Sequence, residues 1–162
     1  MRFFRWRKSN AVFVPAFDDE HQAIFHATGE LQQALHTRAP LFEVQEILHR
    51  LIACTEDHFA HEEKLMRGTR YLAFDWHRQQ HETARKRLRQ FAPLIEQGDR
   101  EAGHQLIEFL THWLEDHTTV NGSHDGSIPA QSGTSADSLA PIGYPGTHSP
   151  DAILGAWAVA RS

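Results

Sequence analysis

The chain has 162 residues and a net charge of −5, with 40% hydrophobic and 23% charged residues, enough for one domain with its own core. That balance gives no reason to expect nucleic acid as a partner, and no apolar run reaches the roughly 18 residues that a membrane span needs. The basic start MRFFRWRK meets Asp18, Asp19 and Glu20 before an apolar signal segment can form, and the single cysteine, Cys54, excludes a disulfide framework, so the cytoplasm is the expected compartment.

Residues 1–17 read as an extended arm broken by Pro15. A first helix is expected from about Asp18 to Thr37, with Asp18, Asp19 and Glu20 at its positive N-terminal end. Its apolar stripe runs His21, Ile24/Phe25, Thr28, Leu31, Leu35. Pro40 punctuates, and a second helix follows from about Leu41 to Arg67. There Val44, Leu48, Leu51 and Thr55 mark the core face, and the same stripe continues onto His58, Glu62 and Leu65. After a loop containing Gly68, a third helix spans about Phe74 to Gln97, with Pro93 expected to kink it or end it early. Its stripe is His77, His81, Ala84, Leu88, Phe91/Ala92, Ile95. Gly98 and Asp99 turn the chain into a fourth helix, about Arg100 to Thr119, with the stripe Leu106, Phe109/Leu110, Trp113, His117. Four helices of this length on short loops predict an all-α, antiparallel up-down-up-down bundle over residues 18–120.

Every helix therefore carries histidine on the side that should be apolar. An unpaired carboxylate or imidazole inside a bundle costs several kcal/mol, roughly, unless something satisfies it. His58 and Glu62, and His77 and His81, are pairs four apart, about 6 Å along one helix face. In an up-down bundle His21 lies early in its helix, His58 late, His77 and His81 early, and His117 late, so all six groups reach the same end. The histidines at 26, 36, 49, 61, 104 and 112 fall off the stripes and read as solvated. Neutral imidazoles with a carboxylate suit iron, zinc, manganese or copper. The lack of a cysteine cluster argues against structural zinc, and six ligands exceed what one tetrahedral ion needs, so two metal ions are expected.

The motifs D-x-x-H at Asp18–His21, H-F-x-x-E-E-x-L-M at His58–Met66, H-x-x-x-H at His77–His81 and W-L-x-x-H at Trp113–His117 resemble the hemerythrin family, bacteriohemerythrins in particular, over residues 10–121. The resemblance implies a non-haem di-iron centre that binds O2 reversibly. By similarity, His77, His81 and His117 hold one iron; His21 and His58 hold the second, which keeps a position open for O2; and Glu62 bridges the two. Trp113 and Leu114 stand where the family lines the O2 pocket. The resemblance leaves the role open between carrier, store and sensor. Two readings stand against it: a di-iron enzyme reducing O2, peroxide or nitric oxide, and a degraded relative with impaired metal binding. A monomer is the expected state. Thr118 stands where many relatives carry Ile; its hydroxyl either admits water near O2 or bonds to the Leu114 carbonyl, the second being favoured.

One ligand of the family pattern is missing. A second bridging carboxylate belongs five residues after the last histidine, and Gly122 stands there. At the same point the composition changes: residues 121–162 hold six Gly, four Pro and seven Ser, with neither Lys nor Glu, and read as a disordered tail. The coincidence of the two breaks suggests a shifted reading frame from about residue 122. Asn121 to Gly126 can be encoded AAC GGA TCG CAT GAT GGA, and dropping one G after AAC yields Asn-Asp-Arg-Met-Met, which restores an acid at the family's position. Sequencing the gene tests this: codons that give no Asp in the shifted frame sink the idea, and codons that do predict tighter iron binding by the restored chain.

Overall fold

The computed structural model describes residues 4–12 and 14–120, so the expectations for Gly122, the tail and the reading frame lie outside the described residues. A single 3-10 turn, Lys8–Asn10, is followed by four helices: α1 Pro15–His36, α2 Leu41–Gly68, α3 Phe74–Glu96 and α4 Arg100–Val120. Each helix packs on the next and α4 returns to α1, closing a four-helix bundle. Among the described residues there is no strand, and no helix is long and apolar enough to cross a membrane.

The core repeats the stripes. Ile24, Leu31, Leu48, Leu51, Ala84, Leu88, Leu106 and Leu110 are buried in one cluster with Phe25, Phe59 and Ile95. On α2 the stripe ends on buried Met66, with Leu65 only half-buried, because 3.6 residues per turn carry the face from Glu62 onto the residue four on. The buried threonines Thr28 and Thr55 each bond back to the carbonyl one turn earlier, at 2.8 and 2.7 Å, so neither hydroxyl is left dry and unpaired.

All three interhelical turns close in the same way. Residues 38, 70 and 98 adopt φ of 56°, 52° and 90°, and the following amides of Ala39, Tyr71 and Asp99 bond back to Ala34, Met66 and Leu94 at 2.9, 2.9 and 3.0 Å. This left-handed close satisfies the last orphan carbonyls of each helix and reverses the chain within a few residues. Gly98 takes the conformation freely, whereas Arg38 and Arg70 hold it against the side-chain crowding that glycine avoids.

One sequence expectation about proline needs correction, and of the two effects expected of Pro93 the early end is absent. Pro15 does not break the arm but opens α1, three residues earlier than Asp18. Its fixed φ suits the first turn, and its missing N–H would have had no helical acceptor there. Pro93 does not end α3, which continues to Glu96. Only three residues remain beyond it, so the lost bond to the carbonyl four residues back falls where the helix is already closing.

The arm lies against α1 at a point where only glycine fits. A Cβ on Gly29 would meet the Phe4 carbonyl oxygen at 2.6 Å, and the Phe4 amide bonds to Gln32 Oε1 at 2.8 Å. Phe4 also stacks on Phe25 at 4.6 Å between ring centres. Alanine at a helix interior is worth about 1 kcal/mol over glycine, yet the backbone oxygen has little room to retreat. Gly29→Ala is therefore expected to leave the helix intact but lift the arm, seen as faster tryptic cleavage at Arg5 or Arg7 with unchanged helical circular dichroism.

Candidate metal centre

All six sequence-predicted ligands converge at one end of the bundle. His21, His58, Glu62, His77, His81 and His117 are buried, none more than 7% exposed, although α1, α2, α3 and α4 each had to deliver at least one of them. Glu62 Oε2 stands at the centre, 2.8 Å from His77 Nε2, 3.1 Å from His81 Nε2, 3.3 Å from His58 Nε2 and 3.5 Å from His117 Nε2. His21 completes the cluster with its ring centre 4.4 Å from that of His58 and 5.5 Å from that of His117.

The donors fall into two overlapping groups. His21, His58, Glu62 and His117 offer ligand atoms within 4.8 Å of one another, and so do Glu62, His77, His81 and His117. Glu62 and His117 belong to both, and of the two only the carboxylate, with two oxygens, could serve two ions at once.

The donors also suit a metal better than they suit each other. Neither ring nitrogen of buried His21 has a hydrogen-bond partner among the described residues. A dry imidazole without a partner is costly, and a metal ion is a natural way to satisfy its lone pair. Burial pushes the His21 imidazole down to about 2, with neighbouring His58 and His117 adding to the effect. Burial likewise pushes His117 down to about 4 against the pull of Glu62, and lowers His81. These rings are therefore neutral at physiological pH, the form that ligates metal. Burial also works to lower His58, but its bonds to Glu20 and Glu62 outweigh that and raise it to about 9. Burial of Glu62 is opposed by bonds from His117, His58, His77 and His81, which keep its carboxyl well below the usual range.

Around the donors lies a layer that sequence spacing missed. Glu20 bonds to His58 Nδ1 at 2.9 Å and also to His61 Nδ1. Glu63 bonds to His81 Nδ1 at 2.9 Å. A carboxylate on Nδ1 fixes the tautomer and turns Nε2 towards the metal side. His61, read as solvated, is only 40% exposed and joined to Glu20. Glu63, off the core stripe of α2, holds the candidate ligand His81. It lies on the flank of α2 that faces α3, which a helical wheel of one helix does not show. The adjacency of Glu20 to His21 and of Glu63 to Glu62 was the available signal. Rings close the cluster: Phe59 stacks on His81 at 4.0 Å, Trp113 on His117 at 4.5 Å with its Nε1 donating to the Gln80 carbonyl at 3.2 Å, and Trp6 lies over His21 at 6.3 Å.

A family model described as "Hemerythrin HHE cation binding domain" matches residues 12–120. The chain belongs to the hemerythrin family. Among curated relatives it is 27% identical over 125 residues to a myohemerythrin of Sipunculus nudus, covering 76% of this chain and 92% of that one. It is 28% identical over 124 residues to a hemerythrin of Phascolopsis gouldii, covering 76% and 91%, and 26% identical over 117 residues to a bacteriohemerythrin of Stenotrophomonas maltophilia, covering 72% and 75%. The family match thus spans the whole bundle, and the buried His/Glu cluster could hold metal.

The shifts fix how stability responds to pH once metal is removed. His21 and His117 bind protons more weakly folded than unfolded, so their contribution is complete above the ordinary value of 6.5 and is lost as pH falls below it. Depressed Glu62 adds to that loss below its ordinary 4.5. His58 acts oppositely: its contribution is complete below 6.5 and fades as pH rises through about 9. The metal-free protein is expected to melt at its highest temperature near pH 6.5. Its melting temperature should fall on both sides, more steeply towards pH 4, where two histidines and Glu62 act together. Calorimetry of chelator-treated protein across that range checks this, and a flat profile would contradict it.

Proposed function

We propose that this chain binds two iron ions and, through them, O2 reversibly, as carrier, store or sensor. The observation that carries the reading is the sharing of buried Glu62 between two groups of imidazoles. On this reading His77, His81 and His117 would hold one iron, His21 and His58 would hold the other, where O2 would bind, and Glu62 would serve both. Bound irons would supply electrons to O2 as it binds and recover them as it leaves; the protein supplies nitrogen donors, a dry enclosure and fixed ring orientations.

Trp113 and Leu114 are proposed to line the O2 pocket. Both are buried, and Trp113 lies flat against His117 with an interplanar angle of 13°. Thr118 supports a closed pocket. Its hydroxyl donates to the Leu114 carbonyl at 2.8 Å and receives the Asn10 amide at 3.3 Å, so it is committed to its own helix and to the arm. A monomer in the reducing cytoplasm, with Cys54 as a free thiol, completes the proposal.

Metal analysis joined to an optical spectrum, first anaerobic and then aerobic, tests the reading. Two irons per chain and an oxy band that reverses when O2 is removed are expected. Fewer irons would favour an impaired relative, and turnover with added reductant would favour an enzyme. Glu62→Ala removes the shared carboxylate and should abolish two-iron binding altogether.

A further inference from the structure

His81 is gripped on two sides, and one residue reaches both grips. Its edge is held by Glu63, whose Oε1 lies 2.9 Å from His81 Nδ1, and its face by Phe59, stacked at 4.0 Å and 14°. Arg85, one turn further along α3, donates from Nη1 to the same Glu63 oxygen at 3.0 Å, and its guanidinium lies 5.0 Å over the Phe59 ring. The guanidinium also donates to Glu56 and Glu82, each at 2.8 Å, and its side chain is only 14% exposed.

We propose that Arg85, which touches none of the candidate ligands, is the positioning residue that holds His81 ready for a metal ion, acting through Glu63 and Phe59. The inference rests on the two-iron reading above. Glu63 is carried by a flexible stem near the surface, so by itself its carboxylate is free to turn towards water. The planar guanidinium, always charged, fixes that oxygen from the other side and spans α2 to α3 in doing so. Without it, three carboxylates would face one another across the helix interface, and their repulsion would drive Glu63 away from His81. His81 would then lose the acceptor that fixes its tautomer and orients Nε2.

The test compares full-length wild type, Arg85→Gln, Arg85→Lys, Glu63→Ala and Glu82→Gln. Anaerobic Co(II) titration gives the affinity of each metal equivalent. Proton NMR of the metal-free proteins gives the exchange rate of the His81 Nδ1–H. Arg85→Gln and Glu63→Ala are each expected to weaken one of the two equivalents by about 10–100-fold and to leave the other unchanged. Combined, they should do no more than Arg85→Gln alone, because Glu63 acts on His81 through the contact that Arg85 holds. Arg85→Lys should recover part of the loss, and Glu82→Gln, which touches Arg85 away from His81, should bind as wild type does. Wild-type binding by Arg85→Gln, or equal weakening of both equivalents, would overturn the proposal. Should wild type itself take up no metal, the two-iron reading fails separately and the NMR arm decides: faster His81 Nδ1–H exchange in Arg85→Gln upholds the positioning role, and unchanged exchange refutes it.

Discussion

A carboxylate at the centre of a helical bundle must be compensated or the fold is penalised by several kcal/mol, roughly, and Glu62 imposes that condition here. It is 1% exposed, and imidazoles of His58, His77, His81 and His117 surround a single oxygen of it. These come from α2, α3 and α4, and α1 adds His21 alongside. No one or two helices could assemble the group. Binding and folding are therefore coupled: the geometry that pairs Glu62 is the geometry that collects metal donors, and an ion in the cluster would stabilise the bundle it occupies.

The two halves of the cluster are braced by different means. Beside His81, Glu63 is anchored by Arg85, which keeps its charge at any pH the protein meets. Beside His58, Glu20 is anchored by His61, a more exposed and less basic group. The His77/His81 half thus sits within a fixed ionic frame between α2 and α3. The His21/His58 half, proposed to receive O2, is bounded instead by Phe17, whose ring lies 6.0 Å from His58, and by Trp6 of the arm.

The arm takes part in this enclosure. Trp6 covers His21, Asn10 reaches Thr118 on α4, and Phe4 is seated against Gly29 on α1. Asn10 is itself fixed by accepting the Arg7 amide at 3.0 Å, so the 3-10 turn and the α4 contact hold each other. The Trp6 and Asn10 contacts join the segment before α1 to the first and last helices at the level of the cluster, where entering water would compete with imidazole nitrogens for an ion.

The sequence by itself determined the four helices, their order and the six groups at their common end. Those features follow from a period of 3.6 residues and from short loops, both local properties of the chain. The stripes placed His21, His58, Glu62, His77, His81 and His117 without reference to any neighbour, because a charged or polar residue on an apolar face is anomalous within its own helix. Pro15 was misread for a related reason: proline's effect depends on how near it lies to a helix end, which the residue type alone does not state. Only the tertiary structure decided the supporting layer. Glu20, Glu63, His61 and Arg85 sit where any surface charge could sit on a helical wheel; adjacency to His21 and Glu62 is the only mark on Glu20 and Glu63, and nothing along the chain distinguishes Arg85 from Arg89. Their roles are set by which helix flank meets which, and that depends on the crossing of α1, α2 and α3 rather than on the pattern within any one of them.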